Sequence, residues 1–214
     1  MEGMKKIRAV LFDYGMVLSG APDAAEWERM RVLLEADAER FHAAYWKFRD
    51  AYDRGALSGA EYWQAVASEV GRKLDAATLA LLIEADTAHW TRPNEPMIAW
   101  ATALQKAGVK TGILSNIGDA MEDGIRGRFA WLDEFAHHTF SHRLGIAKPD
   151  AAIYHHAAQG LGVAEEEILF IDDREENIAA ARSVGMTALQ YSDHVAFVAA
   201  MRDAGLTSLL DIDT

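Results

Sequence analysis

Asp13 closes a run of apolar residues, Ala9-Val10-Leu11-Phe12, and Gly15 follows two places later in Asp13-Tyr14-Gly15-Met16-Val17-Leu18. A short, continuous apolar run is the pattern of a strand buried on both faces. An acid at the C-terminal end of such a strand, just before a glycine-containing turn, stands where open α/β sheets bind their ligands. Two readings of Asp13 follow. It is a carboxylate nucleophile with a phosphate and a cation positioned around it, or it is an Asp that caps the next turn. Three later stretches bear on the choice: Ser115-Asn116, Lys148-Pro149-Asp150, and Asp172-Asp173 with Asn177. Taken singly, Ser-Asn is a common turn and a Lys before Pro is an ordinary solvated charge. The paired carboxylates say more, because adjacent acids repel unless a cation or another partner offsets them.

Presenting these residues together requires a sheet. Residues 7–12 read as the first strand, Lys110 to Leu114 as a second, Glu167 to Ile171 as a third continuous apolar strand, and Met186 to Tyr191 as another, with a short strand over His137 to Ser141. Helical patterns fall between them at 97–107, 119–127, Pro149 to about Gly160, and Glu175 to Val184, and a last helix begins at Asp193. Alternating strands and helices imply a parallel sheet with helices on both faces.

From Asp23 to about Trp90 the pattern is helical throughout, with stretches near 23–35, 37–53, 59–71 and 75–90. Ser58 and Glu61 form a capping box for the third, and Asp75 caps the fourth. Trp27, Tyr45, Trp46, Phe48, Tyr52, Tyr62 and Trp63 read as the core of a small bundle, the alternative being a ligand-binding aromatic wall. Arg92-Pro93-Asn94-Glu95-Pro96 breaks the pattern and reads as a return linker. The expected organisation is a Rossmann-like α/β core over 1–20 and 92–214, with an α-helical cap over 21–91 standing over the sheet edge where it excludes water.

The 214-residue chain carries a formal net charge of -12, which argues against nucleic acid and anionic membrane as partners. A local cation can still invert the field around an anionic small molecule. With no cysteine, disulfides, thiolate metal sites and thiol nucleophiles are excluded. The absence of a long apolar segment or a signal-peptide pattern leads to the expectation of a cytoplasmic protein. The sequence leaves monomer and homodimer both open. No His-Glu-x-x-His pattern exists, and the eight histidines read as surface or structurally satisfied.

In order and context, the four stretches resemble the motifs of the haloacid dehalogenase-like hydrolase superfamily. Phe12-Asp13-Tyr14-Gly15-Met16-Val17-Leu18 is similar to the first motif and Ile113-Leu114-Ser115-Asn116 to the second. Gly145-Ile146-Ala147-Lys148-Pro149-Asp150 is similar to the third, and Phe170-Ile171-Asp172-Asp173-Arg174-Glu175-Glu176-Asn177 to the fourth. Arg54-Gly55 through Tyr62-Trp63 resembles the family's helical cap between the first two motifs. The resemblance implies a Mg2+-dependent phosphatase of a small phosphomonoester, in which Asp13 attacks phosphorus. Mg2+ would be held by Asp13, the Gly15 backbone carbonyl and Asp173, with Asp172 behind it. Ser115 and Lys148 would bind phosphate oxygens, together with the backbone amides of Gly15, Met16 and Asn116, while Asn177 would orient the loop or Lys148. An acid-rich site points to Mg2+ rather than Zn2+.

One departure matters. The family's phosphatases usually carry a second Asp two residues after the nucleophile, which protonates the leaving oxygen and then activates water; here that position is Gly15. A backbone carbonyl survives the change, but the acid–base group does not, and such a group contributes roughly 10²–10⁴-fold. Three outcomes are open: a cap residue supplies the proton, with the cap carboxylates, His42 and His89 unranked by sequence; the substrate has a good leaving group; or the protein is a phosphate-ligand-binding pseudo-phosphatase. A further alternative is a 2-haloacid dehalogenase-type hydrolase, in which halide leaves without a proton. Those relatives place a Tyr at the position of Gly15, and they do not need an Asp172-Asp173 pair.

Overall fold

The computed structural model describes residues 6–212, so the expected core bounds reach outside the described residues at 1–5 and 213–214. Five strands form one parallel sheet: β1 (Ala9–Phe12), β2 (Lys110–Ser115), β3 (His137–Phe140), β4 (Ile168–Asp172) and β5 (Thr187–Gln190), in the order β3-β2-β1-β4-β5. Phe12 is in register with Ile113 on one side and Ile171 on the other, so β1 is central and the C-terminal ends of β1, β2 and β4 lie side by side.

Alternation along the strands divides the core in two. Val10 and Phe12 of β1, with Leu169 and Ile171 of β4, pack against α6 (Glu95–Lys106) and α11 (His194–Asp203) through Trp100, Leu104, Phe197 and Met201. Ala9 and Leu11, with Ile168 and Phe170, pack on the opposite face against α9 (Ala151–Leu161) and α10 (Glu175–Ser183). Both faces being covered explains why these strands read as unbroken apolar runs.

Between β1 and α6 lie α1 (Ala24–Leu33), α2 (Ala38–Lys47), α3 (Arg49–Asp53), α4 (Gly59–Glu69) and α5 (Ala76–His89). They enclose a cluster of their own, including Phe41, Tyr45, Tyr62, Trp63 and Leu82, with no residue from the sheet. The Ser58–Glu61 capping box and the Asp75 cap are both present. Tyr45, Tyr52, Tyr62 and Trp63 are buried as expected, and Trp27 and Phe48 are partly so. Trp46 corrects the expectation: it is 48% exposed and belongs to a cavity wall rather than the bundle core. The chain enters and leaves this block along paired segments, with Gly20 N donating to Arg92 O and Asn94 N donating to Leu18 O.

Other differences are local. The helix expected over 37–53 breaks at Phe48 (φ -107°, ψ 0°), which lets α3 turn away from α2. Glu95 and Pro96, expected in the linker, are the first turn of α6, where the missing proline N–H costs no bond. Asp150 is the residue before α9 rather than part of it. No helix among the described residues is long and apolar enough to cross a membrane.

Two further short helices matter to the site: α7 (Asp119–Arg128) follows β2, and α8 (Ser141–Leu144) follows β3. Buried Glu122 of α7 ties them together, accepting from Arg126 Nε at 2.7 Å, Arg143 Nε at 2.7 Å and His142 Nε2 at 2.8 Å. Burial works against its charge, but these hydrogen bonds prevail and hold its pKa below the ordinary 4.5. Such a group stabilises the fold above the unfolded-state value and loses that contribution as pH falls through its lowered folded value. Glu122→Ala should therefore cost about 2–4 kcal/mol in urea denaturation at neutral pH, toward the low end for a buried pair because both arginines reach solvent. The gap from wild type should narrow as pH drops below about 4.5.

Candidate active site

The backbone after β1 delivers Asp13 to the switch point of the sheet. Its N–H continues the ladder to Ile171 O at 2.9 Å, which fixes the Cα beside the end of β4. The residue is 7% exposed. Oδ1 accepts from Tyr14 N at 2.7 Å and pairs with Lys148 Nζ at 2.9 Å, whereas Oδ2 has no partner among the described residues. Burial raises the Asp13 pKa to about 7; the Lys148 ammonium opposes this, and Asp172 and Asp173 add to it.

Lys148 is 5% exposed and bridges Asp13 to Asp172, whose Oδ2 lies 2.6 Å from Nζ. Burial disfavours the ammonium, but the two carboxylates outweigh it and keep its pKa above the usual lysine value. Its backbone is clamped by Asn116: Asn116 Nδ2 donates to Lys148 O and Lys148 N donates to Asn116 Oδ1, both at 2.9 Å. This side-chain role of Asn116 was not anticipated, since the sequence pointed to its backbone amide.

Asp172, fully buried at the end of β4, is surrounded by donors. Besides Lys148 it accepts from Arg174 N at 2.8 Å and from Asn177 Nδ2 at 2.9 and 3.1 Å. Asn177 thus orients Lys148 indirectly, through Asp172. Asp173 is half-buried with no side-chain hydrogen bond among the described residues, and burial together with Asp172 raises its pKa against the pull of Lys148. One oxygen each of Asp13, Asp172 and Asp173 lies within 4.8 Å of the others. Three carboxylates against one ammonium leave excess negative charge. Hard oxygen donors of this kind suit Mg2+. Because Asp172 is saturated with donors, the carboxylate oxygens left open are those of Asp13 and Asp173.

Ser115, buried at the tip of β2, points no hydrogen bond at any described residue and lines the same cavity. Gly15 has φ -62° and ψ 133°, and a Cβ added there would meet nothing within 4 Å. The Met16 amide, expected to face phosphate, donates instead to Ser19 Oγ at a long 3.3 Å, with Met16 in the left-handed region at φ +60°.

The cavity holds about 720 Å³. It is lined by Asp13–Met16, Ser115–Ile117, Lys148 and Asp173 from the sheet loops, and by Trp46, Arg49, Asp50, Asp53, Arg54 and Trp90 from the helical block. The sequence offered an aromatic wall containing Trp46 only as the alternative and did not single out its charged members, although the i,i+4 pairs Arg49–Asp53 and Asp50–Arg54 are visible in the sequence. Among the histidines, His89, His138, His142 and His155 are hydrogen-bonded as expected. His137, His156 and His194 depart from the expectation, each with a buried ring nitrogen lacking a partner.

The model of the haloacid dehalogenase-like hydrolases matches residues 7–185. The chain is 26% identical over 147 residues to the sesquiterpene phosphatase astK of Aspergillus oryzae, spanning 69% of this chain and 74% of that one. It is 25% identical over 195 residues to the glyceraldehyde 3-phosphate phosphatase of Methanopyrus kandleri, spanning 86% and 83%. The crystal structure of the HAD family enzyme bt-2542 from Bacteroides thetaiotaomicron superposes with a TM-score of 0.75 at 19% identity, over 88% of this chain and 95% of that one. Its complex with magnesium and inorganic phosphate gives 0.71 at 19% identity, over 87% and 94%. At this identity the structural likeness is one of fold.

The geometry makes Asn177 a support for the charged row. Asn177→Ala should cost about 1.5–3 kcal/mol, the range for hydrogen bonds to a charged group, and thermal denaturation of the variant beside wild type checks it.

Proposed function

The chain belongs to the haloacid dehalogenase-like hydrolase family, and on that footing we propose that it is a Mg2+-dependent phosphatase acting on a small phosphomonoester through an aspartyl-phosphate on Asp13. The observation that carries this reading is the Asp13 carboxylate, buried, held through Oδ1 by Tyr14 N and Lys148, and left with Oδ2 free toward the cavity. A nucleophile needs that arrangement: one oxygen fixed for aim, the other unencumbered.

Asp13, Asp173 and the Gly15 carbonyl would hold Mg2+, with Asp172 behind them. Bound there, the ion would neutralise charge on the transferring phosphoryl group. Lys148 binds a phosphate oxygen and balances the nucleophile's charge, and the unpartnered Ser115 hydroxyl donates to another. The Asn116 amide adds a further donor while its side chain holds Lys148 in place. The named phosphatases among the relatives, and the fold neighbour seen with magnesium and inorganic phosphate, support the same chemistry. In this reading residues 1–20 and 92–214 are the hydrolase core and 21–91 the cap, whose cavity wall selects a phosphorylated small molecule in the cytoplasm.

Phosphate release from a panel of aryl and sugar phosphates, with Mg2+ and with chelator, tests the proposal. Wild type should release phosphate only with Mg2+. Asp13→Asn should lose at least about 10³-fold in rate, as nucleophile removal does, while melting near wild type. Chloride release from a 2-haloacid without phosphate release would sink the phosphatase reading in favour of dehalogenation. Phosphate binding without turnover would leave a binding protein.

A further inference from the structure

Gly15 leaves the chemistry without a proton donor on the nucleophile's own loop, and the structure ranks the carboxylates that face the cavity from the other side. Resting on the phosphatase reading, we propose that Asp53 of α3 is the general acid–base of this site, and that the substrate is a phosphate ester of an unactivated alcohol.

Position is the first argument. The end of α3 is bound to both loops assigned to phosphate. Ser141 Oγ donates to the Asp53 carbonyl and accepts from Ile117 N at 3.0 Å, two residues past Ser115. Arg54, the next residue, pairs with Asp150 Oδ2 at 2.8 Å, two residues past Lys148. Gly55 then lies so close to the His142 carbonyl that an added Cβ would stand 2.3 Å from its oxygen. Asp53 thereby lines the same cavity as Gly15, Ser115 and Lys148, on a helix end tied to the loops that follow Ser115 and Lys148.

The side chain itself is built for the role. Oδ1 accepts from Arg49 Nε at 3.0 Å, and Oδ2 has no partner among the described residues. Arg49 is a positioning residue: buried, it is braced by Tyr45 OH at 2.6 Å and by Asp86 at 3.4 Å. Competing groups fall away. Asp50 is 80% exposed and paired with Arg54, and Asp86 is enclosed by Tyr45 and Arg49. His89 is bonded to the Asp23 carbonyl, and neither His42 nor His89 lines the cavity.

Burial raises the Asp53 pKa to about 7, with Arg49 lowering it and Asp86 and Asp50 raising it. The elements packed against α3 also carry Tyr45, His42, Lys47, Glu39 and Arg40 on α2, Tyr62, Glu61 and Glu69 on α4, and His142 and Arg143 on α8, the last two already bonded to Glu122. A carboxyl near neutrality can give a proton and take one back.

The two half-reactions balance through it. In the first, Asp13 Oδ2 attacks phosphorus and the ester P–O bond breaks. Its electron pair goes to the leaving oxygen, which takes the Asp53 proton and departs as the alcohol. In the second, water attacks phosphorus and the P–O bond to Asp13 breaks, returning its pair to the carboxylate. The water's proton passes to the Asp53 carboxylate, regenerating the acid.

The test compares p-nitrophenyl phosphate, whose leaving group needs no proton, with benzyl phosphate, whose alkoxide does, using the full chain with Mg2+. Asp53→Asn should lower kcat/KM on benzyl phosphate about 10²–10⁴-fold, with a loss smaller by about an order of magnitude or more on p-nitrophenyl phosphate. It should also show a burst of nitrophenol, because the phospho-enzyme lacks its base. Gly15→Asp added to that variant should restore benzyl phosphate turnover. Should Asp53→Asn fail to fold, wild type and Asp53→Glu decide: kcat/KM on benzyl phosphate should fall as pH rises through about 7, where the acid is lost, and the aryl ester should not follow. Equal losses on both esters without a burst, or no loss on either, would overturn the assignment of Asp53. A wild-type enzyme that releases phosphate from neither ester would overturn the phosphatase reading itself.

Discussion

A buried ammonium between two buried carboxylates is the constraint on which the rest of the structure depends. Lys148 lies 2.9 Å from Asp13 and 2.6 Å from Asp172, with all three side chains nearly closed to water. Removing such charges from solvent costs several kcal/mol per ion unless geometry and hydrogen bonds are close to ideal. The fold supplies that geometry. Parallel strands in the order β3-β2-β1-β4-β5 bring the ends of β1 and β4 together, and the ladder bond from Asp13 to Ile171 fixes their register. Asn116 then holds the backbone of Lys148, and Asn177 with the Arg174 amide saturates Asp172. What remains unsatisfied is the part that faces the cavity: Asp13 Oδ2, the Ser115 hydroxyl and the Asp173 carboxylate.

The sheet half of the site was legible in the sequence because strands buried on both faces leave an unmistakable pattern. Asp13, Ser115 and Asp172 each stand at the end of an apolar run, and the sheet brings those ends together. The roles of side-chain amides were less legible. Asn116 and Asn177 act through partners 32 and 5 residues away, a choice of hydrogen bond that no local pattern encodes. In the helical block the helical spans were readable, but not that the second of the four splits into two helices, nor which face meets the cavity. Trp46 sits in a run of aromatic residues whose other members are buried or partly buried. The break at Phe48 that separates α3 from α2 carries no glycine or proline to announce it.

Arg49 shows how the block and the sheet divide the electrostatic work. On the sheet side one cation serves two acids; on the block side Arg49 does the same for Asp53 and Asp86, with Tyr45 between. The two buried cations line one cavity, each leaving one of its carboxylates with an open oxygen. A ligand entering between them meets two prearranged dipolar walls rather than solvent, and fixed dipoles do not have to reorganise when charge moves.

The paired linkers have a consequence of their own. The helical block leaves the sheet at Gly20 and rejoins it at Arg92, and those two residues are hydrogen-bonded to each other. The excursion therefore begins and ends at a single point, and the block carries its own apolar core. For natural selection this is a socket. Residues of the block can be exchanged, lengthened or repacked without rethreading a strand or disturbing the Lys148 row, provided the contacts at Ser141 and Asp150 persist. In such an arrangement the Lys148 row can be inherited unchanged while the block varies around Arg49 and Asp53, the pair through which it shares the cavity's charges.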